Sequence, residues 1–112
     1  LCVEISALRC AILEAKGYTT INADFLAINR SHAQPDRIVM NPPFSDGRWQ
    51  THLQHAATLL NKGGRLVAIL PASAKGKDLF PGWQCEWSQV FDNEFSGTSV
   101  SVVILAAQKA SA

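Results

Sequence analysis

The strongest constraint on the fold lies at residues 36–44, Asp-Arg-Ile-Val-Met-Asn-Pro-Pro-Phe. Ile38 to Met40 is a short apolar run without polar alternation, which suits a strand of a parallel sheet covered on both faces. Pro42 and Pro43 end it, because neither can donate a backbone hydrogen bond and each disfavours helical backbone in the residue before it. The chain must leave the strand in a stiff, extended turn. Arg65 to Leu70 is a second run of the same kind, closed by Pro71, and between the two runs Trp49, Leu53, Ala56, Ala57 and Leu60 keep a helical spacing of three and four. Strand, helix, strand with buried-type strands implies an α/β fold and a mostly parallel sheet.

The rest of the chain extends that pattern. Leu1 to Ile5 is apolar with Glu4 near its end, and Ser6 is a helix N-cap candidate. Leu8, Ala11, Ile12 and Ala15 fall on one helical face and should pack inward, with Gly17 closing the helix. Thr19 to Ala23 is β-prone and runs into Asp24 and Phe25. Asn61-Lys62-Gly63-Gly64 ends the central helix with two residues free to take positive φ. Ala72 to Trp83 lacks periodicity and carries Lys75 and Lys77, so it reads as a mobile loop at the strand ends with room for a short helix, a solvated basic connector in preference to a phosphate-contacting or lid loop. Cys85 to Phe91 and Ser99 to Ala107 are β-rich runs around a turn-rich segment. Trp83 and Trp87 read as core residues.

The turn at 41–44 has a chemical use as well as a structural one. In open α/β sheets ligands bind beyond the carboxyl ends of strands. Here the Asn41 side-chain oxygen and the Pro42 carbonyl are acceptors that could take hydrogen bonds from an exocyclic NH2, steering its lone pair toward an electrophile and stabilising the positive charge that develops. Pro43 stiffens the turn, and the Phe44 ring could stack on the heterocycle that carries the amine. Set against this is a turn that merely ends a strand.

Asn41-Pro42-Pro43-Phe44 resembles motif IV, (Asp/Asn/Ser)-Pro-Pro-(Tyr/Phe/Trp), of the S-adenosylmethionine-dependent amino-methyltransferases. The stretch on through Ser45-Asp46-Gly47 resembles phage and plasmid DNA methyltransferases, and the leucine-rich helix, Lys-Gly-Gly and apolar strand ending in Pro follow as in that family. The resemblance covers nearly the whole chain. It implies a Rossmann-like, mostly parallel sheet with helices on both faces and an antiparallel C-terminal hairpin, a partial class I methyltransferase-like domain over residues 1–112. It implies S-adenosylmethionine as cofactor, with Glu4 matching the ribose-contacting acid, Asp24 the adenine-contacting acid and Phe25 flanking the adenine ring. Asn41, Pro42, Pro43 and Phe44 match the catalytic turn. The implied substrate is a nucleic acid, DNA ahead of RNA, methylated on adenine N6. An RNA base or a protein glutamine also offers a planar amine, and a catalytically inactive remnant serving as a binding or partner domain is the reading of a different class.

The sequence departs from the family in one respect. The family's acidic, Gly-rich turn, which follows its first and central strand, has no counterpart before Leu1. The expected sheet therefore lacks its central strand, to be compensated by direct pairing of the strands ending at Glu4 and Met40, or by a second chain or upstream segment.

Composition bounds the alternatives. The 112 residues are 47% hydrophobic and 17% charged with a net charge of +1, so a nucleic-acid contact must come from local cations and not from an overall basic field. Cys2, Cys10 and Cys85 are odd in number and lack metal-ligand spacing, which suggests reduced thiols and no zinc. His52 and His55 have no third ligand nearby, and His32 sits in a polar connector, so no metal is expected. No run approaches the roughly 20 apolar residues of a membrane span and no secretory signal is visible, so a cytoplasmic protein with no membrane partner is expected.

Overall fold

The computed structural model describes residues 1–92 and 100–111. The turn-rich segment 93–99 lies outside the described residues. Two compact units divide the chain, Leu1–Ala33 and Gln34–Ala112.

In the first unit, β1 (Cys2–Glu4) pairs in parallel with β2 (Thr20–Asn22), Glu4 opposite Asn22. The helix α1 (Ala7–Ala15) connects them. Ser6 caps it, its hydroxyl accepting from the Arg9 amide at 3.3 Å. Gly17 follows the C-cap Lys16 at φ +93, a left-handed conformation that costs glycine little. The inward stripe expected for α1 is not realised. Cys10 is the buried residue of this helix, while Leu8 is 72% and Ile12 47% exposed. The two strands have only three residues each, so the helix rests on a narrow ribbon that the Cys10 side of α1 suffices to cover.

The second unit holds a four-stranded sheet in the order β3-β4-β6-β5. β3 (Arg37–Met40) and β4 (Arg65–Pro71) are parallel, with Arg37 opposite Arg65 and Met40 opposite Ala68. β6 (Val102–Gln108) runs antiparallel to β4 and also to β5 (Gln84–Trp87), which gives the expected antiparallel end of the sheet. The fold is mixed α/β as anticipated. The strands ending at Glu4 and Met40 belong to different sheets, so they are not hydrogen-bonded neighbours.

The helix α2 (Arg48–Leu59) links β3 to β4 and buries Trp49, Leu53, Ala56 and Leu59. With Leu66, Ala68, Leu70, Val103, Leu105 and Phe80 they make the core. β4 alternates exposed or half-buried with fully buried residues from Arg65 to Pro71. The face carrying Leu66, Ala68 and Leu70 is therefore the one that enters the core.

Two details correct the sequence reading. Gly63 takes positive φ (+77), but Gly64 is needed for a different reason. A Cβ there would lie 2.8 Å from the Asp36 and Asn61 carbonyl oxygens and 2.7 Å from a Leu60 methyl, so only glycine lets the turn close against β3. The loop from Ala72 also differs from the expected connector. After a short 3-10 turn (Ala72–Ala74) it runs along α2: Lys77 Nζ lies 5.8 Å from the Trp49 ring, Gln54 Nε2 donates to the Leu79 carbonyl at 3.1 Å, and buried Phe80 stacks on Trp83 at 4.3 Å. It forms a strap along α2. Trp83 and Trp87 are half-buried, at the margin of the core.

Candidate functional site

Both proline peptides at 41–43 are trans, and the chain leaves β3 along the extended path required by Pro42 and Pro43. Pro42 is buried and Pro43 half-buried, which anchors the turn in the unit. Asn41 is exposed, and its side chain makes no hydrogen bond among the described residues. A primary amide held on a rigid strand end with its oxygen unused is an acceptor ready for an external donor. Phe44 is half-buried, so part of its ring is open to a planar partner.

The next four residues turn the chain from Phe44 into α2. Ser45–Gly47 forms a 3-10 turn in which Asp46 takes φ +57, the one non-glycine residue with positive φ among the described residues, followed by Gly47 at φ +68. Two consecutive left-handed residues turn the chain sharply from the strand end into α2. Arg48 fastens this kink, its Nε donating to the Ser45 carbonyl at 3.2 Å and its Nη2 to the Ser45 hydroxyl. The Asp-Gly pair signals the turn in the sequence. The role of Arg48 was missed, since no spacing rule points a helix's first residue back at the preceding loop.

In the first unit, Glu4 and Asp24 lie at the carboxyl ends of adjacent parallel strands, as expected from their positions. Each already has a structural partner. Glu4 Oε1 accepts from Arg9 Nη1 at 2.9 Å, the Glu4 side chain being 21% and the Arg9 side chain 73% exposed. Asp24 Oδ1 accepts from the Leu26 amide at 3.0 Å and caps a 3-10 turn, Phe25–Ala27, in which Phe25 is half-buried. Each carboxylate keeps its second oxygen outside these bonds, so both retain a free acceptor for a hydroxyl or amino donor. Arg9 was also missed, because a separation of five across a strand-to-helix junction follows no helical pairing rule.

The Glu4 carbonyl is equally engaged, accepting from the Ala23 amide at 3.1 Å and from the Cys10 thiol at 3.2 Å. Burial first, and then the carboxylates of Glu4 and Glu14, push the Cys10 thiol above its ordinary pKa. It remains a neutral packing group there. Burial and the nearby Asp78 carboxylate raise the Cys85 thiol in the same direction.

No protein-family model and no curated protein matches the sequence. Solved structures do match. An rRNA methylase from Streptococcus thermophilus superposes with a TM-score of 0.61 at 13% identity, covering 96% of this chain and 71% of that one. TrmN from Thermus thermophilus gives 0.64 at 23% identity, with 92% and 34% covered. This is a methyltransferase fold. A protein described as a predicted O-methyltransferase from Agrobacterium tumefaciens gives 0.61 at 15% identity, covering 95% of this chain and 60% of that one. The chain thus spans from about a third to less than three quarters of the length of these proteins.

No helix among the described residues is long and apolar enough to cross a membrane.

Proposed function

We propose that the chain, residues 1–112, is a partial class I methyltransferase-like domain that contributes to methyl transfer from S-adenosylmethionine to an exocyclic amino group, adenine N6 in DNA. The observation that carries this reading is the exposed Asn41 amide, without a hydrogen-bond partner among the described residues, at the end of β3 beside the buried Pro42 and followed by the half-buried Phe44. The methyltransferase fold supports the reaction class. S-adenosylmethionine, when bound, supplies an electrophilic methyl group. Asn41 Oδ1 and the Pro42 carbonyl would accept hydrogen bonds from the substrate NH2, orient its lone pair for attack and stabilise the positive charge on nitrogen until its proton is lost to solvent, the cofactor leaving as its demethylated thioether. Pro43 keeps the turn stiff and Phe44 stacks the base. Glu4 and Asp24, each with one carboxylate oxygen left over, fit the ribose hydroxyls and adenine amine of the cofactor, and Phe25 its adenine ring.

A second reading is an RNA base as substrate, favoured by the rRNA methylase among the matching structures. A protein glutamine or an inactive remnant is separated from both by the same assays. A cytoplasmic location belongs with this reading. β3 ends the strand order of its sheet, and its outer edge is where a strand from a second chain or an upstream segment would extend the sheet.

The test is methyl incorporation by an active form of the protein into adenine-containing DNA, RNA and a glutamine peptide, with the product identified by mass spectrometry. Asn41→Ala should lower kcat on the order of 10²-fold with cofactor affinity little changed. An Asn41→Ala enzyme that keeps parental activity sinks the assignment of the turn. Failure of the parent to bind S-adenosylmethionine in calorimetry supports the remnant.

A further inference from the structure

At the amino end of β3 and β4, the end of the strands opposite the Asn41 turn, Asp36, Arg37, Lys62, Gly63, Gly64, Arg65 and Gln108 line a concavity of about 270 Å³. Its floor is rigid. The Arg65 amide donates to the Asp36 carbonyl at 2.9 Å, the Asn61 amide to the Pro35 carbonyl at 2.9 Å, and the Gly63 amide to the Lys109 carbonyl at 3.2 Å. The Lys109 amide donates back to the Gly64 carbonyl at 2.9 Å. Lys109 Nζ is spent on the Ala57 and Leu60 carbonyls at the end of α2.

The cations of the rim are not spent in this way. Arg37 and Arg65 are direct register partners on neighbouring strands, and like charges placed so are destabilising. Both are exposed, as is Lys62, and none of the three makes a side-chain hydrogen bond or ion pair among the described residues. The carboxylate on the rim, Asp36, accepts instead from Asn61 Nδ2 at 2.9 Å. Glu86 lines the adjoining concavity that also touches Arg65, but it forms no ion pair with it. Three cations and one carboxylate line the concavity, a net positive rim in a chain whose net charge is only +1. An anion would relieve the repulsion that the strand register imposes. Two guanidinium forks and an ammonium offer donors from several directions, which suits a tetrahedral phosphate better than a planar carboxylate.

We propose that this concavity is a phosphate-binding site, with Arg37 and Arg65 as its forked donors and Lys62 as its point charge. It is independent of the methyl-transfer reading, since it uses none of the residues at the Asn41 turn. The phosphate comes either from a nucleic-acid backbone or from the free anion, and the experiment has an arm for each. In the first arm, a short fluorescent single-stranded RNA is titrated against the full chain at several salt concentrations. Arg37→Gln/Arg65→Gln should weaken binding about tenfold at low salt and lower the slope of log affinity against log salt by about 0.7, the value for one lost phosphate contact. In the second arm, inorganic phosphate should raise the melting temperature of the parent and not of the double variant.

A slope change in the first arm assigns the site to backbone phosphate, and a response confined to the second assigns it to the free anion. The proposal is overturned if neither arm separates parent from double variant. It is also overturned if Lys16→Gln, which removes an exposed cation from the other unit, lowers the slope as much as Arg37→Gln alone. Because both arginines are exposed and repel one another, the double variant should melt no lower than the parent. A failure of either arm says nothing against methyl transfer, which is read by product formation.

Discussion

The two units of the chain are built from the same strand-helix-strand pattern and differ in what each buries. Gln34–Ala112 has a four-stranded sheet with seven-residue central strands, β4 and β6, and a helix whose inward side chains are almost wholly hidden. Leu1–Ala33 has two three-residue strands and a nine-residue helix, and Cys10 and Ile28 are its buried apolar residues. A two-stranded ribbon with one short helix is marginal by itself. The lesson is that an amphipathic pattern needs a partner surface wide enough to receive it. α2 has one, and α1 does not within its own unit.

The largest expected effect tests the better-packed unit. Leu53→Ala, at a fully buried position of α2, should cost about 2 to 5 kcal/mol in urea unfolding. Leu8→Ala, at the corresponding kind of position in α1, provides the contrast below. Next in size is Gly64→Ala, which drives a methyl into two carbonyl oxygens and should cost about 1 to 3 kcal/mol, read from the same curves. A neutral result would mean that the turn between α2 and β4 can open without loss.

Glu4→Gln brings function into the weaker unit. In a cofactor-binding form of the protein it should weaken S-adenosylmethionine binding about tenfold by calorimetry, since a charged acceptor holds a donor more strongly than a neutral one. An unchanged dissociation constant would leave Glu4 as no more than the partner of Arg9. The smallest effect is that of Leu8→Ala, within about 0.5 kcal/mol because the side chain is mostly in water. A loss as large as that of Leu53→Ala would break the comparison, showing that the outer face of α1 is covered in solution. Hydrogen exchange sharpens it independently: amides of β4 and β6 should exchange far more slowly than those of β1 and β2.

Much of this was legible in the sequence because it depends on neighbours along the chain. The apolar runs at 38–40 and 65–70, the spacing of Trp49, Leu53, Ala56 and Leu60, the Ser6 cap and the stop at Gly17 each reflect a local preference, and the structure realises them. The rigid Asn-Pro-Pro turn is legible for the same reason, since proline acts on its own backbone and on that of the residue before it. The reach of Arg48 back to Ser45 and of Arg9 to Glu4 was not, although both are short in sequence, because it depends on how a loop meets a helix.

Only the tertiary structure decided the remainder. Gly64 is required by the carbonyl of Asp36, 28 positions earlier in the chain. Arg37 meets Arg65 because β3 and β4 pair in one register and no other, and the Lys75–Gly82 strap follows α2 because Trp49 and Gln54 offer it contacts there. The outward face of α1 is apolar by sequence and wet by structure. Local preference is a property of a few consecutive residues, whereas burial, register and charge proximity belong to pairs of segments. What the sequence determined by itself was which segments become strands and helices and where the stiff turn falls; which surfaces meet, and so which cations are left facing one another, was settled when those segments packed.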